Sequence, residues 1–401
     1  MSLPIKYVAR FLFVVYMILL PIDFIFTVNF GWPVSLSLLV GLLLFVLIVF
    51  KEKRIFFRWE FSVFLFLVIF LIVHPGSYVG KGFLSIVGVA TSVIIFITSY
   101  QLVRFNYLNS EVVLFGLRCF SFSVLLYAIY FYFYELNSVL NASVLGPDNV
   151  RVSVDGFDQN NFASILAMAA LIFLFNSYVA SPLLSLFYVL SFFFIFYLMT
   201  LTGSRSAIIA LVCAGAFITV ISVRFRLLST SKKVLVLVLF FVLILGAFYL
   251  LSSNPMMVNR FDSTFNSGDL SSRDVIWINS FDLMYENWLF GYGLGGGEVA
   301  LADRLGVYGG VKGTHNTIVT FYLSTGLILG SLYSFCYINF PFWFGYFLRF
   351  KSWNMAIHLL AALLVLVLLS SFSIDWINRK YYWVFMGQAL GCFVSAKRVR
   401  A

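Results

Sequence analysis

Charge is what this chain has least of. Of 401 residues only 10% are charged while 62% are hydrophobic, too much apolar surface to hide in a water-soluble core. Alternating segments of about ten residues, the mark of a transmembrane barrel, are also missing, which leaves helices as the spanning element. Cysteine is scarce: Cys119, Cys213, Cys336 and Cys392 sit inside apolar runs without CxxC spacing. That argues against a disulfide framework or a zinc site and marks them as packing residues. Carboxylates and histidines do not cluster as a metal would need, so no metal and no cofactor is expected. Internal repeats, low-complexity tracts and a soluble domain are likewise lacking.

What the sequence has in abundance is runs of about 18 or more apolar residues, enough for a helix to cross roughly 30 Å of hydrocarbon. The first run ends in Pro21 and Asp23 without a small-residue cleavage site and reads as a retained span. About twelve spans are predicted, centred near Val15, Leu42, Val68, Val93, Leu125, Ala169, Phe192, Val212, Val242, Leu329, Leu364 and Phe385. The expected fold is an all-α polytopic membrane protein, one membrane domain over residues 1–401. Alternate connections carry Lys51, Lys53, Arg54 and Arg58, then Arg104, then Arg224, Arg226, Lys232 and Lys233, then Arg349 and Lys351, and the tail has Lys397, Arg398 and Arg400. This positive-inside pattern puts the N-terminus in the cytoplasm and accounts for the net charge of +10 without nucleic acid. The opposite face receives two long loops, residues 136–161 and 253–316. Loops beyond about 15 residues are usually functional or disordered, and the second is too aromatic for disorder.

Four patches fall on that outer face. In "TGSRSA", Ser204 is a good N-cap and Arg205 the first residue of an apolar helix, with Gly203 before it and Ser206 after it. Helix N–H groups, the positive dipole end and a guanidinium make a phosphate site, although an arginine snorkelling to lipid headgroups reads the same way. In "SSRDVIWINSFDLMYENW", Ser271 and Asp274 have capping-box spacing, Arg273 lies in the first turn, and Trp277, Phe281 and Trp288 follow at helical intervals. This predicts an amphipathic helix lying against the bilayer or the bundle. The glycines of "FGYGLGGGE" lack the strand before and helix after of a nucleotide fingerprint, and read as a flexible turn. "THNT" puts His315 and Asn316 at the outer mouth of the next span, where an imidazole suits proton transfer near neutral pH. His74 lies in a plain turn, and His358 opens a span on the inner side. "DQNNFA" offers Asp158, Gln159, Asn160 and Asn161 either to sugar hydroxyls or to an ordinary helix cap. Within the apolar runs only Arg118 stands in mid-membrane, so a flippase, whose charges line a central cavity, fits less well.

In their order and on their shared face, "TGSRSA", "SRDVIW", "FGYGLGGG", "HN" and the weaker "DQNNFA" resemble the O-antigen ligase and Wzy-type polymerase superfamily of bacterial inner-membrane proteins. The resemblance is confined to roughly residues 155–326. It implies glycan transfer from an undecaprenyl-pyrophosphate-linked donor to an acceptor at the periplasmic face, metal-independent and inverting. Arg205 and Arg273 would hold the pyrophosphate and His315 would take the acceptor proton, with Gln159, Asn160, Ser204, Ser206, Trp277 and Asn316 as further substrate contacts. The implied partners are the lipid-linked donor, a lipid-linked glycan or lipid A core as acceptor, membrane lipids and a chain-length regulator. Outer-face acids such as Asp262, Asp274, Asp282, Glu286, Glu298 and Asp303 outnumber the bases there, which favours a polymerase over a ligase facing a phosphorylated core.

Overall fold

Association of helices in lipid depends on close approach, since burying apolar surface gains little where the solvent is itself apolar. The helix at the centre of this protein is built accordingly. Residues Gln159–Val179 carry Ala163, Ala167, Ala169 and Ala170, and nearly every side chain of the helix is buried. The computed structural model describes residues 3–23, 27–29, 33–53, 55, 59–78, 82–135, 158–224, 230–267, 273–307, 313–347, 355–374 and 379–398.

The helices are α1 (Leu3–Leu19), α2 (Leu36–Glu52), α3 (Trp59–Val73), α4 (Gly82–Arg104), α5 (Ser110–Tyr130), α6 (Gln159–Val179), α7 (Pro182–Leu201), α8 (Arg205–Arg224), α9 (Thr230–Ser252), α10 (Pro255–Ser267), α11 (Arg273–Glu286), α12 (Leu294–Arg304), α13 (Thr317–Phe347), α14 (Met355–Ser370) and α15 (Lys380–Arg398). All twelve expected centres fall on helices. Among the described residues seven are long and apolar enough to cross a membrane, counting Thr317–Asn339 although Gly326 breaks it, and eight if the bent pair of α9 and α10 counts as one. The chain is therefore an all-α multi-pass membrane protein. The shortfall from twelve lies in length and charge: α2 has 17 residues, α3 15 and α14 16, while α15 carries Lys380, Lys397 and Arg398. One departure from all-α is a small antiparallel pair, β1 (Thr27–Asn29) and β2 (Pro33–Ser35). Beside it Lys380 Nζ reaches Asp23 Oδ2 at 2.6 Å and the hydroxyls of Ser35 and Ser37, joining the two ends of the chain.

α6 packs against α5, α7, α8 and α14, and α8 against α9 and α14. Single turns join α6 to α7 and α7 to α8, so α6 and α8 begin at the same end of the bundle. At that end α10 bends 93° from α9 and touches α8. Arg118 donates from Nε to Asn176 Oδ1 (2.8 Å), a polar pair that joins α5 to α6. Of the cysteines, Cys336 and Cys392 are buried and Cys119 is half-buried, but Cys213 is exposed.

α13 is not one rod. Gly326 has φ +76°, ψ −179°, and a Cβ built on Gly330 would lie 2.8 Å from the Cα of Tyr322. Residues eight apart in a straight helix stand about 12 Å apart, so the first arm folds back along the second. The Phe321 ring accordingly lies 5.9 Å from the rings of both Tyr333 and Tyr337.

Candidate functional site

The break in α13 frees the carbonyls of Leu323 and Ser324, which a continuing helix would have paired. Backbone N–H groups of the glycine-rich turn take them instead: Tyr292 donates to Leu323 (2.8 Å) and Gly293 to Ser324 (3.0 Å), while Leu327 donates back to Trp288 (2.6 Å). Burying such groups unpaired in a membrane costs several kcal/mol each. The glycines that read as a flexible turn are thus divided: residues 291–293 cap the hairpin, and Gly295, Gly296 and Gly297 lie in the first turn of α12, the helix that the sequence did not lead one to expect after them. The other side of the 291–293 turn meets the turn at Pro75–Tyr78, where a Cβ on Gly76 would collide with the Tyr292 carbonyl and one on Gly293 would fall 2.5 Å from the Ser77 nitrogen.

His74 pins these two turns together. Its Nδ1 accepts from the Gly76 N–H (3.2 Å) and the ring also bonds the Gly291 backbone. Burial pushes its pKa below the ordinary histidine value, in keeping with an accepting, neutral nitrogen. Local sequence shows only a turn, because the second partner, Gly291, lies over two hundred residues away.

We expect the glycine docking to show in stability. Gly293 (φ +74°) is enclosed by backbone, whereas Gly306 (φ +76°) has nothing within 4 Å of a built Cβ. Gly306→Ala should cost only the left-handed penalty, about 1–2 kcal/mol. Gly293→Ala should cost roughly 1–3 kcal/mol more, as strain and lost cap bonds add. Thermal unfolding in detergent measures the difference, and equal midpoints would contradict a tight dock.

The folded-back arm changes where His315 sits. Rather than opening a straight span at its mouth, it stands at the foot of residues 317–325, about 13 Å along the arm from the Gly326 apex. Asn316, buried, caps the arm with Oδ1 accepting from the N–H groups of Ile318 (3.0 Å) and Val319 (3.2 Å). Thr317 fixes the foot to the end of α14 by bonds to the Ser371 and Ile374 carbonyls (3.0 and 2.9 Å). His315, half-buried, has φ +52°, a left-handed backbone rare outside glycine. Strain of this kind, about 1–3 kcal/mol, persists where surroundings over-determine it and clusters at functional sites.

Trp277 connects this loop to α11. Its indole N–H donates to the Thr314 carbonyl (3.1 Å), one residue before His315 and one helical turn after Arg273, which opens α11 half-buried. Ser271 lies outside the described residues. The helix exists as expected, but its inward face is Ile276, Ser280 and Leu283, and Phe281 and Trp288 are exposed. The amphipathic helix of this loop is α10, with Met257 and Phe261 turned inward and Asn259, Asp262 and Asn266 outward.

Arg205 opens α8 after a turn set by Gly203 (φ +67°). Ser204 is buried at the cap position, its carbonyl taking the Ile208 N–H (3.4 Å) and its hydroxyl 3.4 Å from that of Ser206. The end of α14, which packs along α8, carries the His315 foot; Trp277 ties that foot to the helix that Arg273 opens, and Arg205 marks the end of the bundle at which α8 begins. The start of α6 lies at the same end. There Asp158 is an ordinary cap, accepting from the N–H groups of Asn160 (2.9 Å) and Asn161 (3.1 Å). Gln159 is half-buried and Asn160 buried, and the side-chain carbonyl of Asn161 is buried without a hydrogen-bond partner among the described residues.

The fold defines a polytopic membrane protein in which Arg205 opens one helix of the bundle and the helix opened by Arg273 is tied through Trp277 to the His315 loop. Residues 190–334 match the family model of the O-antigen ligases, a stretch that contains Arg205, Arg273, Trp277, His315 and Asn316 but neither Gln159 nor Asn160. This agrees with the resemblance to the O-antigen ligase and Wzy-type superfamily, and points to an enzyme of glycosyl transfer, in the broad sense, acting on lipid-linked glycans. No curated protein matches the chain.

Proposed function

We propose that the protein is a surface-polysaccharide polymerase of the bacterial inner membrane, which moves a glycan from undecaprenyl pyrophosphate to a sugar hydroxyl of another lipid-linked repeat unit at the periplasmic face. The observation that carries this reading is the Trp277 to Thr314 bond, which couples an arginine-headed helix to a strained histidine loop. His315 takes the acceptor hydroxyl proton, and the oxygen attacks the anomeric carbon from the side opposite the pyrophosphate, inverting it. The bond to the leaving oxygen breaks and its electron pair goes to the pyrophosphate, whose growing charge meets Arg205, Arg273 and the first N–H groups of α8. In this reading Ser204, Ser206, Asn316, Gln159 and Asn160 bind sugar or phosphate, with Trp277 holding the loop.

An apolar cavity of about 180 Å³ lies between α6, α7, α8 and α9, lined by Phe196, Leu211, Gly215, Phe240 and Ala247 among others. Leu211 is under two helical turns from Arg205, so a prenyl chain lying there leaves its pyrophosphate near the guanidinium. Ligation to a lipid A core is the second reading, favoured by the description of the matching family. The acidic outer loops favour polymerisation, and Arg304 spends its charge on Asp282 and Glu286 (3.5 and 2.5 Å). Purified protein given undecaprenyl-pyrophosphate-linked repeat units, with chelator and no nucleotide sugar, should produce a ladder of lengthened glycans. Product appearing only when lipid A core is added would replace polymerase by ligase, and no product with either acceptor would end both.

A further inference from the structure

α11 has two apolar faces on opposite sides. Ile276, Ser280 and Leu283 pack inward against Leu301 of α12 and Leu323 of the α13 arm. Across the helix, Ile278 (61% exposed), Phe281 (52%) and Tyr285 (85%) form a second row, extended by Trp288 and Phe290 in the following turn. At 100° per residue the two rows point nearly opposite ways. A helix resting on a protein with water above it needs one apolar face, and contiguous apolar patches of this kind mark a surface that something covers.

The neighbouring surface names the cover. Leu327 N–H bonds the Trp288 carbonyl (2.6 Å), so the turn that extends the outward row of α11 adjoins the long arm of α13, where Leu327, Ile328, Leu332 and Phe335 are exposed. Those side chains stand on the apolar arm that continues from the Gly326 reversal to Phe347, a surface whose composition suits lipid. Tryptophan and tyrosine on the continuing surface are the residue types that settle at the headgroup boundary. The acids near the row stay out of its apolar part: Asp274 is at the helix start, and Asp282 and Glu286 flank it, paired with Arg304.

We propose that α11 lies in the outer leaflet, its Ile278, Phe281 and Tyr285 row in contact with lipid, as a membrane-inserted part of a loop otherwise outside the bilayer. This does not depend on the reaction. Combined with the proposed function, it puts Arg273 at headgroup depth, where a lipid-carried pyrophosphate arrives.

The test places the photocrosslinker p-benzoylphenylalanine singly at Phe281, at Tyr285 and, as an independent position on the same row, at Ile278. The full chain is held in nanodiscs of phosphatidylethanolamine and phosphatidylglycerol. After irradiation, intact-mass analysis should show phospholipid adducts at these positions and none above background at Asp303, exposed on α12. Adducts between two copies of the chain would assign the row to a dimer interface and overturn the proposal. Absence of lipid adducts at all three positions would return the row to water and overturn it too. Glycan transfer is assayed separately on the wild-type chain, so failure here leaves the proposed reaction standing, and the reverse holds.

Discussion

Arg205→Lys should insert and accumulate like the wild type yet lose about 10- to 100-fold in glycan transfer per unit of inserted protein. The figure follows from the donors: arginine presents a planar fork that grips two phosphate oxygens, lysine a point charge that grips one well. A charge-assisted hydrogen bond contributes about 1.5–3 kcal/mol, and each 1.4 kcal/mol is about tenfold in rate. A snorkelling anchor would tolerate the exchange, since the charge and the apolar stem are kept. The turn that presents Arg205 supports the first outcome, because Gly203 and the buried Ser204 fix where α8 begins, and anchoring requires no such fixing. Arg273→Lys should lose transfer similarly, with Trp277 holding its helix in register. Wild-type rates from the lysine variant at 205 would make the residue an anchor and remove the centre of the proposed site.

The helices were legible because hydropathy is local: each apolar run carries its own signal, and all twelve expected centres fall on helices. Legible for the same reason were Ser204 before Arg205 and Asp158 before Gln159, cap residues whose partners lie within four positions. What escaped was set by distant parts of the chain. Residues 317–339 read as one apolar span because glycine is common in membrane helices, and only the docked turn at 291–293 shows that Gly326 reverses the chain. His74 looked like a turn residue until its glycine partners were in place. The aromatic spacing of Trp277, Phe281 and Trp288 was real but misread, since a helix apolar on two sides has its buried face elsewhere.

The hairpin also decides how His315 must be tested. Replacing it with alanine removes the imidazole, but it also puts at φ +52° a residue less suited than histidine to left-handed backbone. Lost activity in that variant alone confounds chemistry with a shifted loop. Asparagine tolerates the left-handed region and has no basic nitrogen near neutral pH, so His315→Asn keeps the turn and deletes the base. Both variants should lose about two to four orders of magnitude in turnover, the usual contribution of general acid-base catalysis. Binding of undecaprenyl pyrophosphate should persist in His315→Asn, because the arginines that hold it are untouched. If the loop needed only its geometry, asparagine would restore transfer while alanine did not, and His315 would be a turn residue. Equal, deep losses with the donor still bound would mean that the strain at 315 serves to aim a proton acceptor from the foot of the arm.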